Sequence, residues 1–339
     1  MKRTKVLLIA ALFLTGVSKT YAQDPNFSQY FMSPMTTNPA SIGKGISDMR
    51  VMMNRKNQWW GSNDAAFTIT TVSFEKQLTS AKLGEDQLGV GVMMLSDASN
   101  NGLLKNTYFS TGAAFNKKVG EYSTLGVGIN FTYANRFLDV SKLQMQSQFG
   151  SMGFNSSNAT NELIQITNAK YFDANGGIKY SLNEPTWGYS VGAAIFHSAK
   201  PRISTYNNSS YSLDQRINLQ GSYYKKYRET DEFDLGFNFD AQGVNHVFSI
   251  GGLYKFQIPG NHLPQKLCIG IWDKFGYAIY PYVGLEAKEW SMGFTYDVIT
   301  SDLNTYYNSV NSMEFSLAYQ FRGKKDKKKP LTHERMFEL

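Results

Sequence analysis

Along most of this chain, apolar side chains alternate one for one with small or polar ones, in runs of about ten residues, the length a bilayer-crossing strand needs. Leu125, Val127, Ile129, Phe131 and Tyr133 alternate with Thr124, Gly126, Gly128, Asn130 and Thr132. The rhythm returns in Trp290, Met292, Phe294, Tyr296 and Val298 against Ser291, Gly293, Thr295 and Asp297. It returns again in Met313, Phe315, Leu317, Tyr319 and Phe321 against Glu314, Ser316, Ala318 and Gln320, and in Phe233 to Phe239 against Asp234 to Asp240. A period of two sends successive side chains to opposite faces of a sheet, so each run specifies a strand with one apolar and one polar face. Strands of soluble domains average only ~5–6 residues.

The pattern places strands near 48–56, 67–77, 87–97, 106–118, 122–137, 169–181, 186–197, 214–226, 232–242, 245–257, 264–273, 276–286, 289–300 and 311–322. That makes fourteen, an even number, as in single-chain bacterial outer-membrane barrels. Arg50 and Arg55 interrupt the first run. If the first strand starts in the periplasm, the connections Leu138 to Thr167, Ser198 to Leu213 and Ser301 to Asn311 lie outside. The short ones, such as Ser181 to Pro185 and Ala287 to Lys288, lie inside, and long loops on one side with short turns on the other is the outer-membrane pattern. The expected fold is therefore all-β, a closed antiparallel transmembrane β-barrel of about fourteen strands. No stretch of this body is apolar for the ~20 residues that a membrane-spanning helix requires. An exported β-sandwich or propeller would alternate too, but with shorter strands.

The chain opens with Lys2, Arg3 and Lys5, an apolar run from Val6 to Leu14, and Thr20-Tyr21-Ala22 before Gln23, the order of a secretory signal over residues 1–22. Residues 23–47 then form a segment expected on the periplasmic side or in the lumen, 48–322 the barrel, and 323–339 a basic periplasmic tail. The formal charge of +7 includes four positive residues of the signal. Of the remaining +3, the tail from Arg322 onward contributes +4 through seven Lys/Arg against three Asp/Glu, which leaves the body at −1. No basic face is left to suggest a nucleic-acid partner.

The residues Phe27-Ser28-Gln29-Tyr30, the step Asn38-Pro39-Ala40, and Arg55, Gln58 and Trp59 after the first strand resemble elements of the PorP/SprF family. So do the last two strands, with Tyr296, Asp297, Ser301, Leu303, Glu314 and Tyr319. The resemblance implies an outer-membrane barrel of the type IX secretion system that works beside other secretion components. It implies a role in export or surface attachment of a secreted cargo protein such as a gliding adhesin, with outer-membrane lipid around the barrel.

The residues themselves offer little chemistry. His197, His246, His262 and His333 are scattered without metal-ligand spacing, and the lone Cys268 sits in an apolar run. The glycines alternate within strands and form no phosphate-binding loop, so neither a catalytic site nor a cofactor is expected. Asp297 and Glu314 fall on polar strand faces, where two roles stay open: solvated lining residues, the commoner case, or buried carboxylates that orient basic lumen groups. Lys324, Lys325, Lys327, Lys328 and Lys329 are candidates for holding an acidic periplasmic partner or lipid headgroups. The rival function is a general substrate-diffusion porin, since fourteen strands enclose enough space for a channel.

Overall fold

In the computed structural model, the described residues are 24–46, 48–59, 66–78, 81–155, 157–158, 168–203, 212–227, 231–260, 265–301 and 311–321. The signal segment, Leu303 and the tail lysines lie outside them. Fourteen antiparallel strands close into one barrel. They are β1 (Met49–Gln58), β2 (Phe67–Leu78), β3 (Gln87–Ser99), β4 (Leu104–Lys118), β5 (Ser123–Leu138), β6 (Asn168–Asn183) and β7 (Trp187–Phe196). The second half comprises β8 (Arg216–Lys226), β9 (Glu232–Gln242), β10 (Asn245–Gln257), β11 (Lys266–Lys274), β12 (Ala278–Glu286), β13 (Trp290–Ile299) and β14 (Ser312–Phe321). Each strand pairs with its sequence neighbours, and β14 closes on β1 through the register Met49↔Phe321 to Asn57↔Met313. Closure pairs every strand on both sides through the body of the wall, as a lipid environment demands of backbone polar groups. A two-residue ribbon, Phe149–Gly150 with Gly153–Phe154, decorates the long loop between β5 and β6. Among the described residues no helix is long and apolar enough to cross a membrane.

The alternation reads out as two faces. Leu125, Val127, Ile129 and Phe131 of β5 project outward and are exposed, as are Phe294 and Val298 of β13 and Phe315 and Leu317 of β14. The residues between them, including Asn130, Thr132, Thr295, Asp297, Glu314 and Ser316, point inward and are buried. An apolar exterior round a polar interior is what a lipid-embedded barrel needs. The lumen departs from pure polarity on β11 and β12, where Trp272, Tyr280 and Tyr282 face inward.

The interior is filled by the chain itself. Residues 24–46 run through the lumen, bonding to inward-facing groups of strands on every side. Asp24 meets Gln242 and His197 at the end of the barrel where the long loops emerge, and Gly45 meets Gln320 at the end of the short turns. The segment therefore begins at the long-loop mouth and traverses the barrel before β1 starts. Of the two places expected for residues 23–47, the described part occupies the lumen, entered from the long-loop end. Alternation reports strands, and nothing in it fixes where a non-repeating segment begins.

Candidate functional site

The lumenal segment is built from short turns rather than one long element: a 3-10 turn at Tyr30–Met32, a single helical turn at Pro34–Thr37 and a second 3-10 turn at Pro39–Ser41. Pro34 and Pro39 start two of these turns, where a missing N–H leaves nothing unsatisfied. Such a segment has no ladder of its own, so the wall must meet its backbone groups.

Ser28 and Gln29, near the start of the segment, are held by charged wall residues. The N–H groups of Ser28 and Gln29 donate to the two oxygens of Glu314, at 2.7 and 2.9 Å. Asn54 Nδ2 donates to the same carboxylate at 2.8 Å, so this anion accepts three directed hydrogen bonds. Ser28 Oγ donates to Asp297 at 2.6 Å, and Lys56 Nζ lies 2.9 Å from that carboxylate, 3.9 Å from Glu314 and 2.6 Å from Ser28 Oγ. Gln29 also donates from Nε2 to the Glu314 carbonyl and accepts from Ser316 Oγ. Of the two roles open for Asp297 and Glu314, the structure gives them the buried one, with Lys56 as the basic group. A buried charge is tolerable only when paired and hydrogen-bonded, and here each one is.

Next along, Tyr30, Phe31 and Met32 pack into the aromatic patch of the wall, with Phe31 stacked on Trp272 at 5.6 Å and edge-on to Tyr282 at 5.8 Å. Burial pushes the Tyr30 phenol well above its ordinary range, so it stays neutral. Phe27 packs against Ile69 and Leu95. Asn38 caps its own turn by accepting from the Ala40 N–H at 2.8 Å, and its Nδ2 donates to the Ile178 carbonyl at 2.9 Å. The Asn-Pro-Ala step lies flat on wall glycines. A Cβ at Gly128 would come within 2.3 Å of the Pro39 backbone, and one at Gly177 within 2.1 Å of Asn38 Oδ1, so no other residue type leaves room there. Below, Glu75 accepts from the Gly43 N–H at 2.9 Å and from Arg50 at 2.8 Å, and Lys44 donates to Ser181.

At the mouth, Asp24 is gripped by His197 Nε2 at 2.7 Å and Arg216 Nε at 3.2 Å, while His197 Nδ1 lies 2.8 Å from Asp173. Both ring nitrogens face carboxylates, which only the doubly protonated imidazolium satisfies with two donors. Burial pulls the His197 pKa down, but Asp24 and Asp173 outweigh it and hold it up to about 9. Burial alone raises the Asp24 carboxyl, and the neighbouring His197 and Arg216 more than reverse this, leaving it far below the usual carboxylate range. Above this latch a vestibule of about 530 Å³ opens, lined by Asn26, Lys56, Trp59, His246, Lys274 and Tyr277 among others. Trp59 takes a left-handed φ of 58°, rare for so bulky a residue, with its ring edge-on to Phe67.

The sequence-derived residues thus divide. Phe27, Ser28, Gln29, Tyr30, Asn38, Pro39 and Ala40 converge in the lumen with Asp297 and Glu314. Gln58 and Trp59 sit at the mouth, where Gln58 donates to the Tyr277 hydroxyl at 2.9 Å, and Ser301 lies in the loop after β13. Arg55, Tyr296 and Tyr319 project from the outer face and touch none of this. Sequence reasoning missed Lys56, Asn54, Asp24, His197, Arg216 and the inward aromatics. Parity carried a signal for Lys56, Trp272 and Tyr280, a charge or a ring on the strand face that elsewhere holds small polar residues.

The fold and its contents define the class: a transmembrane β-barrel whose lumen is plugged by its own N-terminal segment. The chain belongs to the PorP/SprF family of type IX secretion system membrane proteins, whose model matches residues 19–319, and its place is the outer membrane. No curated protein matches the sequence. Among solved structures it is similar to the Ralstonia pickettii toluene transporter TbuX, at 11% identity and a TM-score of 0.49 over 86% of this chain and 93% of that one. A Pseudomonas aeruginosa FadL homologue matches at 8% identity and 0.47 over 84% and 98%. BamA from Haemophilus ducreyi lacking POTRA domains 1-3 matches at 8% identity and 0.41 over 81% and 70%.

Proposed function

We propose that this barrel is an accessory of type IX secretion that holds or escorts an exported cargo protein at the cell surface, and that it does not serve as a channel for solutes. The observation that carries this reading is the filled lumen: the main chain of Ser28 and Gln29 is bonded to a wall carboxylate that is itself fully paired, which argues for a built-in part rather than a passing loop. A porin of this size needs an open water path, and residues 24–46 occupy it. The long-loop end then faces outward, as in outer-membrane barrels generally, and the short-turn end and basic tail face the periplasm. Lys324, Lys325, Lys327, Lys328 and Lys329 supply a tether for an acidic component on that side, screened beyond ~8 Å at physiological salt. Residues 1–22 serve as the export signal.

The test is isolation of the protein from native outer membranes, with and without a working type IX system, followed by identification of secreted proteins that accompany it. One specific secreted protein, present only when the system works, supports the reading. Large, steady conductance of the reconstituted wild-type protein with no accompanying secreted protein favours the porin.

A further inference from the structure

The larger of two irregular steps at the long-loop end lies between β6 and β7; the smaller is at β10/β11, where pairing stops at Ser249↔Lys274 although β10 starts at Asn245. Neighbouring hairpins are paired to the top at β2/β3 (Phe67↔Ser99), β4/β5 (Leu104↔Leu138), β8/β9 (Arg216↔Gln242) and β12/β13 (Ala278↔Ile299). At β6/β7 the pairing stops at Gly176↔Ile195. Residues 168–175 of β6 run on, paired with β5 along one edge only, from Asn168↔Phe137 to Asn175↔Asn130. At ~3.4 Å per residue this one-sided stretch is about 25 Å long, enough for a whole strand of a partner. Among the described residues no strand lies along its other edge.

The neighbouring chain is steered away from that edge. After Phe196, His197 and Lys200 both take left-handed φ, 57° and 45°, and Pro201 follows. His197 is pinned in this conformation by Asp24 of the lumenal segment and Asp173 of β6. Among the described residues, the last contact of this chain with the edge is Ser198, whose N–H and Oγ both donate to the Ala174 carbonyl. That contact fixes the parity. Alternate residues of an antiparallel strand turn both backbone groups to the same side, so Lys170 and Phe172 direct theirs to the open edge, and Tyr171 and Asp173 direct theirs to β5. The side chains of Lys170 and Phe172 are exposed on the outer face, Phe172 by 78%, with Tyr133 beside it at 5.1 Å.

We propose that the open edge of β6 over Asn168–Asp173 is the docking site for an extended segment of the exported partner, which adds to the sheet as a further strand. This rests on the cargo-holding reading above. A row of backbone donors and acceptors recognises an extended polypeptide and little else, and the edge stands at the end from which the long loops project. The exposed Phe172 ring suits an apolar partner side chain, and the Lys170 ammonium suits an acidic one. The lumenal segment keeps the site open, because Asp24 holds the residue that turns β7 aside.

Hydrogen exchange on the purified full-length barrel tests the edge itself. The amides of Lys170 and Phe172 should exchange at least tenfold faster than those of Tyr171 and Asp173, whereas equal protection of all four overturns the proposal. The substitution Phe172→Pro removes an N–H that points to the open edge and spares the β5 ladder, so the barrel should still assemble and shift on heating. Recovery of the secreted partner should fall at least tenfold with Phe172→Pro and only a few-fold with Phe172→Ala, which keeps the backbone donor. Lys170→Pro, of the same parity, repeats the test if Phe172→Pro does not assemble. Equal recovery by wild type and both proline variants overturns the site. If wild type brings down no secreted protein, the cargo-holding reading fails instead. The edge is then judged with a synthetic peptide of alternating valine and threonine carrying one glutamate: slowed exchange at Lys170 and Phe172 supports strand addition, and unchanged exchange sinks it.

Discussion

The wall grips its lumenal segment by ionic groups at two places whose surroundings differ. A little below the mouth, Glu314 binds the main chain of Ser28 and Gln29, with Lys56, Asp297 and Asn54 completing the set; no member is more than 2% exposed, and Lys56 borders the floor of the vestibule. At the mouth, Asp24 is bound through its side chain by His197 and Arg216, beside an open vestibule. A carboxylate on a strand that holds backbone N–H groups acts whatever the side chains of its ligand. A latch made of a histidine between two carboxylates depends on the protonation of one ring. The Glu314 set is thus the firmer hold, and the mouth is where the segment can be loosened.

The largest effect should come from Glu314→Ala. It strips the acceptor from two backbone N–H groups and from Asn54, and leaves Lys56 with Asp297 alone. Removing one partner of a buried pair destabilises by ~3–5 kcal/mol. The segment should leave its seat, so that planar-bilayer recordings show channels that wild type lacks. Silent recordings together with unchanged thermal stability would show that the Glu314 set is no anchor.

Somewhat smaller, and directed at the backbone clearance alone, is Gly177→Val. The added Cβ meets Asn38 Oδ1 at 2.1 Å, while valine suits a strand better than glycine does. Overpacking of this kind destabilises by ~1–3 kcal/mol. The barrel should assemble normally, and a cysteine at Ala40, buried in wild type, should become reactive to thiol reagents in the variant only.

The latch at the mouth is separated from the Glu314 set by pH. The folded pKa of His197 is raised, so its contribution is complete below the unfolded value of ~6.5 and is lost as pH rises through about 9. Asp24 is depressed, so its contribution is present above ~3.9 and lost only as pH falls toward its low folded value. The grip is full between those two limits and loosens on the alkaline side. Between pH 6.5 and 9.5, amide exchange near Asp24, corrected for its intrinsic rate, should rise several-fold while that of Ser28 and Gln29 stays fixed. The variant His197→Ala should lose this contrast, and a rise of equal size at both places would erase the distinction between them.

How much of this was legible beforehand follows from what repeats. The strands were, because ten-residue alternation is a local property: the expected spans 232–242 and 245–257 coincide with β9 and β10. Phe27 to Ala40 could be marked by resemblance, yet the partners that hold them come from strands scattered along the whole chain, from Lys56 beside Ser28 to Glu314, 286 residues from it. Pairings across a lumen leave no periodic trace. The direction in which the segment enters was hidden for the same reason, since Asp24 reads as an ordinary polar residue until His197 and Arg216 are seen beside it. Lys56 was legible in principle, because a lysine on an inward face of a barrel strand must find a carboxylate.

The smallest effect should come from Tyr319→Phe, and it bears on the first prediction because both residues lie on β14. Glu314 and Tyr319 are an odd number of positions apart, so the period of two turns one into the lumen and the other out. Glu314 is 1% exposed, and Tyr319 is 39% exposed on the outer face, its hydroxyl donating to Glu289 at a long 3.4 Å. An exposed bond of that length contributes little, so the change should stay within ~0.5 kcal/mol. The ring itself, packed edge-on to Phe321 at 4.8 Å near the short-turn end, is what an aromatic belt needs, and phenylalanine preserves it. Channel recordings and exchange at Ser28 should both match wild type. If Tyr319→Phe opens the lumen as Glu314→Ala does, the wall transmits changes from its outer face to the anchor, and the inward set is not sufficient to account for the seating of the segment.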